Sequence, residues 1–314
     1  MADWYQISVI GSGESSEAIA KIFTELGAAS VTFHDGADQP IYEPSPASHP
    51  LWTKTRITAL FEEPVELKAI RESVSSTLPA AELSGWNLEI LADRVWEQAW
   101  MDHFKPMQFG TRLWVYPSHL RPPDPEAVNL MLDPGLAFGT GTHPSTALCL
   151  EWLAQQDLRN LKIIDYGCGS GILAIASVLL GAHKAIAVDI DEQALIATST
   201  HAFNNGVSNQ VSCRFPEQAA HESADIVIAN ILANVLEELA PILTEYVKPG
   251  GKLVLAGIFS EQVEQVLNAY PNFRFAPPVP SDNWVRLDGM CHSKIRIPVP
   301  DPTTLKHVYP VPSM

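Results

Sequence analysis

Residues 163 to 176 read Ile163-Ile164-Asp165-Tyr166-Gly167-Cys168-Gly169-Ser170-Gly171-Ile172-Leu173-Ala174-Ile175-Ala176. A short apolar run led by β-branched residues meets three alternate glycines, and an apolar stretch of helical character follows. The reading is strand, tight turn, helix, the opening of a parallel α/β unit. Without Cβ atoms in the way, the turn lets a nucleotide-like ligand approach the backbone at the carboxyl end of the strand. Three alternate glycines exceed what turning alone requires.

The spacing bears on the ligand. A dinucleotide fingerprint, GxGxxG, carries its third glycine five residues after the first, where a helix N-terminus meets a pyrophosphate. Here that position is Ile172. The pattern is instead DxGxGxG, from Asp165 through Gly167, Gly169 and Gly171, which resembles the first motif of S-adenosylmethionine-dependent class I methyltransferases. In those enzymes the opening acidic residue faces the cationic end of the cofactor, the place Asp165 occupies.

Downstream, Ala185-Ile186-Ala187-Val188-Asp189 is a second strand whose carboxylate stands 22 positions after Gly167. A carboxylate there can accept both hydroxyls of a ribose, a device shared with NAD enzymes. Asp191 is read as the N-cap of a helix from Glu192. Further strands are predicted at 162–165, 184–189, 211–215, 225–231 and 252–258 with helices between them, which implies a parallel sheet covered on both faces. The strand over 225–231 carries Asn230, followed by Ile231 and Leu232. Amino-group methyltransferases often place Asn or Asp there, before Pro-Pro and an aromatic. This chain keeps the Asn and lacks the remainder, and a strand-end cap is the alternative role. Before the first sheet strand, Leu132 to Thr146 includes Phe138, Gly139 and His143 and precedes a helix from Pro144. This loop could wrap a cofactor, with Thr146 free to hydrogen bond in the first helical turn. His143 is read as a structural hydrogen-bonding residue in preference to a general base. No Ser-His-Asp order, HExxH or GK[ST] motif supports a hydrolase, metalloprotease or NTPase.

The N-terminal third reads βαββαβ: strands at 4–10, 30–34, 55–61 and 86–91, a helix from Glu14 to Leu26 with Ala18, Ile22, Phe23 and Leu26 at helical spacing, Gly27 closing it, and a second helix after Pro64. That order is the ferredoxin-like pattern. Trp96, Trp100 and Phe104 fall four apart and are read as an anchoring face of a short helix. Pro117 to Pro125 holds four prolines and is read as linker. The expected organisation is a ferredoxin-like α+β domain over 1–95, a linker helix and Pro-rich linker over 96–127, a doubly wound Rossmann-like domain over 128–297 and an extended tail over 298–314.

With 314 residues, two domains are the expectation. Lys and Arg number 20 against 36 Asp and Glu, a formal net charge of −16, which disfavours a nucleic-acid or membrane-surface protein and favours a basic partner. Residues 1–95 alone carry 14 acidic and 6 basic side chains. Cys149, Cys168, Cys213 and Cys291 lie far apart with no CxxC pair, which suggests neither a disulfide frame nor a metal site and fits a reducing cytoplasm. The N-terminus shows neither a basic n-region nor an apolar h-region, and no run approaches a membrane span, so neither export nor insertion is expected.

Taken together, Leu132–Thr146, Ile164–Ala176, Val188–Asp191, Ala229–Ala233 and Trp96–Met101 resemble the ribosomal protein L11 methyltransferase family (PrmA) across almost the whole chain, with Phe138-Gly139-Thr140-Gly141-Thr142-His143 the most specific phrase. The tail after about Gly289 is longer than the family leads one to expect. The resemblance implies a class I methyltransferase that uses S-adenosyl-L-methionine, yields S-adenosyl-L-homocysteine, and methylates the α-amino group and lysine ε-amino groups of the stalk-base ribosomal protein of the large subunit, up to trimethylation. It also implies that the N-terminal domain recognises the substrate across a flexible linker. By position it assigns cofactor contacts to Thr146, Gly167, Asp189 and Asn230, with Gly169 and Gly171 completing the cradle. Phe138, Gly139 and Asp165 are further candidate contacts, and Asn230 is the candidate for orienting the acceptor amine. A cytoplasmic monomer without metal is expected. The alternatives are a class I methyltransferase for another protein or a small-molecule amine, an NAD-dependent oxidoreductase, and a binding module that retained the fold.

Overall fold

The computed structural model describes residues 4–37, 52–79, 83–91, 105–133 and 141–292. The chain divides into two compact units, Met1–Ala99 and Trp100–Met314. The Trp96–Phe104 segment, Phe138, Gly139 and the tail from 298 lie outside the described residues.

The first unit runs β1 (Trp4–Ser12), α1 (Gly13–Glu25), β2 (Ser30–Asp35), β3 (Lys54–Phe61), α2 (Leu67–Ser75), β4 (Ser84–Leu91). Its sheet is antiparallel in the order β2-β3-β1-β4, which is the ferredoxin-like arrangement. Ile7 and Val9 of β1 and Ile57, Ala59 and Phe61 of β3 meet Ile19 and Phe23 of α1 and Ile70 and Val74 of α2 in one core, so both helices cover one face. Ser12 caps α1 through the Ser15 N–H. The buried stripe of α1 is Ser15, Ser16, Ile19 and Phe23. It is displaced from the one the spacing predicts: Leu26 is the C-cap and 40% exposed, because Gly27 at φ +92° turns the chain away at that point.

The second unit opens with β5 (Met107–Phe109), β6 (Leu113–Tyr116) and β7 (Val128–Met131), a three-stranded sheet. Residues 107–109 and 113–116 are therefore strands within the stretch 96–127 expected to be linker. The four prolines fall in the connection between β6 and β7, and the alternating Leu113 and Val115 point into the core that also holds Phe109 and Leu130. There follow α3 (Pro144–Gln155), β8 (Lys162–Tyr166), α4 (Ile172–Leu179), β9 (Lys184–Val188), α5 (Glu192–Asn204), β10 (Val211–Arg214), α6 (Pro216–Ala219), β11 (Ala224–Asn230), α7 (Ala233–Glu238), α8 (Ala240–Tyr246), β12 (Val247–Phe259), α9 (Val263–Ala269), β13 (Phe273–Phe275), β14 (Val279–Ser281) and β15 (Trp284–Cys291).

The large sheet has the order β10-β9-β8-β11-β12-β15-β13, with β14 beside β15. Pairings from β10 to β12 are parallel; those of β15 with β12, β13 and β14 are antiparallel. One core packs α3, α4 and α5 on one face, and a second packs α7, α8 and α9 on the other, which makes the unit doubly wound. The antiparallel strands beyond Phe259 lie past the last strand the sequence pattern predicts. The strand order reverses between β8, which continues to β9 on one side, and β11 on the other, and a crevice opens at that switch point.

Candidate active site

The glycine turn leaves the carboxyl end of β8 at Gly167. Gly167, Gly169 and Gly171 adopt φ of +73°, +52° and +77°, the left-handed region. A Cβ on Gly167 would stand 2.4 Å from Ile231 Cγ2, so the turn is closed tightly against the end of β11. The amides of Gly167 and Cys168 both donate to the Val188 carbonyl, at 2.8 and 3.1 Å, tying the turn to β9. Just beyond β9, Asp189 accepts from Gly169 N–H through Oδ2 and from Asp191 N–H through Oδ1, both at 3.0 Å. Each carboxylate oxygen thus retains acceptor capacity for a hydroxyl pair. Asp191 caps α5 through Gln193 N–H at 2.9 Å, as its position predicts.

Asp165 is placed differently from the cofactor contact the motif implies. It is 1% exposed, lies beneath the turn, does not line the cleft, and accepts from Ala174 N–H through Oδ2 at 3.0 Å. Its Oδ1 is buried without a partner among the described residues. Desolvation pushes the carboxyl up to about 7; the Ala174 hydrogen bond opposes this and the Asp189 charge adds to it. Asp165 braces the first turn of α4. Gly171 likewise stands off the cleft as the N-cap of α4, where a Cβ would fall 2.5 Å from Thr198 Cγ2.

Opposite the turn, Asn230 ends β11. Its Nδ2 donates to Thr146 Oγ1 at 3.1 Å, and its Oδ1 is buried with no partner among the described residues. Thr146 is 1% exposed, lies behind the cleft wall and reaches it through the Asn230 amide. His143 caps α3: its Nδ1 accepts from Ser145 N–H at 3.3 Å and lies 2.7 Å from Ser145 Oγ. Burial holds the imidazole below its ordinary pKa. These contacts agree with a structural His.

The cleft between these groups has a volume of about 570 Å³, within the range of small-molecule and cofactor sites. Gly167, Gly169 and Asp189 form one side, and Asn230, Ile231 and Leu232 another. Trp284 and Gly257, which sequence reasoning missed, also line it. Gly257 carries a readable signal: a glycine inside an apolar strand marks close backbone approach, and a Cβ there would lie 2.4 Å from the Ile231 carbonyl oxygen. The Trp284 indole meets His143 edge-on at 4.6 Å and stacks obliquely on Phe259 at 4.1 Å. The four cysteines are free thiols, all buried but the half-buried Cys213. No described helix is long and apolar enough to cross a membrane.

The observations suit a nucleoside cofactor: a turn with no room for side chains, a carboxylate at the next strand end, and an Asn side chain lining the far wall of the cleft. Residues 3–291 match the family described as Ribosomal protein L11 methyltransferase (PrmA). The protein of that name from Nitrosococcus oceani is 49% identical over 287 residues, 91% of this chain and 98% of its own. That from Methylococcus capsulatus is 48% identical over 289 residues, covering 91% and 99%. The crystal structure of a ribosomal protein L11 methylase from Lactobacillus delbrueckii subsp. bulgaricus is 27% identical with a TM-score of 0.55, covering 60% of this chain and all of that one. With a family match spanning both units and relatives near half-identical over nine-tenths of its length, this chain belongs to the ribosomal protein L11 methyltransferase family.

Proposed function

We propose that this chain is an S-adenosylmethionine-dependent protein N-methyltransferase that modifies the α-amino group and lysine ε-amino groups of ribosomal protein L11, up to trimethylation. The observation that carries the reading is a single cleft lined by the glycine turn, by Asp189 and by Asn230, whose amide is held from behind by Thr146 at 3.1 Å. When bound, S-adenosylmethionine supplies an electrophilic methyl group on a cationic sulfur.

The chain's own residues do the rest by positioning and desolvation. Asp189 would hold the ribose hydroxyls, and the backbone of Gly167 and Gly169 would line the nucleoside. Asn230, on the opposite wall, would orient the acceptor amine or the adjacent backbone. The amine must first be neutral: from a lysine reference pKa near 10.4, deprotonation at pH 7.4 costs roughly 4 kcal/mol. The apolar wall of Ile231, Leu232, Val235 and Trp284 lowers that pKa by desolvating the ammonium. His143 has its Nδ1 held by Ser145, no side chain is assigned as a dedicated general base, and water can take the proton from an amine whose pKa is lowered in this way. No covalent enzyme intermediate is required. The acidic first unit attracts a basic ribosomal protein and repels nucleic acid. The protein acts as a cytoplasmic monomer, with residues 1–95 recognising the substrate.

The test is transfer of radiolabelled methyl from S-adenosylmethionine to purified, unmethylated L11. Incorporation that S-adenosylhomocysteine suppresses and NAD does not is the expected result. Binding of NAD in competition with S-adenosylhomocysteine would favour the oxidoreductase alternative.

A further inference from the structure

On β15, Trp284, Arg286 and Asp288 alternate and so share one face of the strand. Trp284 meets His143 at the start of α3, ring to ring at 4.6 Å. Two residues on, Arg286 Nη1 donates to the Leu148 carbonyl of α3 at 2.6 Å. The spacings match: five helical residues from 143 to 148 rise about 7.5 Å, and two strand residues span about 6.7 Å. The strand therefore runs along the helix and touches it at two points, one of them a wall of the cleft.

The second point is chemically unusual. Arg286 is 7% exposed, and its Nε and Nη2 form a two-pronged pair with Asp288 Oδ1 and Oδ2 at 2.7 and 3.0 Å. Arg286 is buried and Asp288 half-buried, so the pair gains only modest stability over apolar side chains of the same volume, because the guanidinium gives up its water. What it supplies is direction: a planar fork fixed at one end by a carboxylate leaves its remaining N–H aimed at a single carbonyl. The neighbouring Cys149 thiol is pushed up to about 12, chiefly by burial, so it stays neutral and Asp288 is the counter-charge.

Resting on the methyl-transfer reading above, we infer that Arg286, oriented by Asp288, is a positioning residue for the reaction: it sets the depth of α3 against β15. That depth fixes the His143–Trp284 wall and, through Thr146 two residues before Leu148, the amide of Asn230. The groups that would hold the nucleoside, Gly167, Gly169 and Asp189, lie just beyond the ends of β8 and β9 and hydrogen bond to one another and to those strands, not to Arg286, Asp288 or Leu148. Loosening it should thus separate turnover from cofactor binding.

The experiment compares the full chain with Arg286→Lys, Arg286→Met and Asp288→Asn. Calorimetric titration with S-adenosylhomocysteine gives affinity and the number of competent sites, and methylation of L11 is expressed per competent site. The expected outcome is a fall in kcat of roughly tenfold to hundredfold, as for displacement of reacting groups by about an ångström, with cofactor affinity within about threefold. In nitrogen-15 spectra without substrate, the indole N–H of Trp284, assigned by loss in Trp284→Phe, should shift or broaden in Arg286→Lys. A merely structural clamp would lower thermal stability and site number but leave kcat per site and the Trp284 signal unchanged, and that result overturns the proposal. Failure of the wild-type chain to methylate L11 would instead strike the functional reading, while the indole signal still decides whether Arg286 sets the wall. If Arg286→Met does not fold, Arg286→Lys and Asp288→Asn carry the comparison.

Discussion

Asn230 and Thr146 are 84 positions apart, yet one hydrogen bond joins them at the edge of the cleft. Removing the acceptor with Thr146→Val should cost about 1 kcal/mol, roughly fivefold in kcat, with S-adenosylhomocysteine affinity changed less than about threefold. Thr146→Ser should restore the rate. An equal loss of affinity and kcat would show that Thr146 touches the cofactor itself. Asp165 makes a second prediction, on stability. Its folded pKa is raised to about 7 from an ordinary 3.8, chiefly by desolvation, so the folded chain holds this proton more tightly than the unfolded chain does. That contribution is complete below about pH 4 and is lost as pH rises through 7, on the order of 4 kcal/mol. Asp165→Asn keeps an oxygen for the Ala174 N–H and removes the titration. The melting temperature of the wild type should fall relative to Asp165→Asn as pH is raised from 4 to 8, and a constant difference would contradict the assignment.

Among the elements, the β8 turn can be probed against a control within the same unit. Gly167 and Gly206 share a left-handed backbone, at φ +73° and +70°, but a Cβ at Gly167 meets Ile231 whereas at Gly206 nothing lies within 4 Å. Gly206→Ala should cost only the left-handed strain of about 1 to 2 kcal/mol in stability and leave S-adenosylhomocysteine binding intact. Gly167→Ala should in addition weaken that binding at least tenfold, by displacing the Ile231 side of the cleft; equal effects of the two on a binding isotherm would refute the close-approach argument. These elements also show what was legible in the sequence. The turn and Asp189 could be read because local backbone demands dictate them: only glycine suits three left-handed residues in five, and the carboxylate follows its strand directly. Thr146, Trp284 and Arg286 were not legible in these roles, because each is defined by a partner far away in sequence. Asp165 was legible as a motif member, but its burial depends on how α4 lies over β8. Strands β5 and β6 were hidden by their brevity and by the prolines that follow.

For the whole molecule, the two units have separate cores, one around Ile7, Phe23 and Ile57 and the others around the seven-strand path of the large sheet. A chain of residues 100–314 should therefore fold and bind S-adenosylhomocysteine with near-native affinity, yet lose methylation of L11. Retained methylation would contradict the division of labour proposed for the N-terminal unit. With a net charge of −16, the full chain should also bind its basic substrate more weakly as salt rises, through KM and not through kcat.

The most direct measurement is intact-protein mass spectrometry of unmethylated L11 after incubation with this chain and S-adenosylmethionine, followed by peptide mapping. The expected product is a ladder of whole methyl increments, up to three on a single nitrogen, confined to the N-terminal amine and lysine side chains. An unchanged mass, with S-adenosylhomocysteine shown to bind the same preparation, would contradict it.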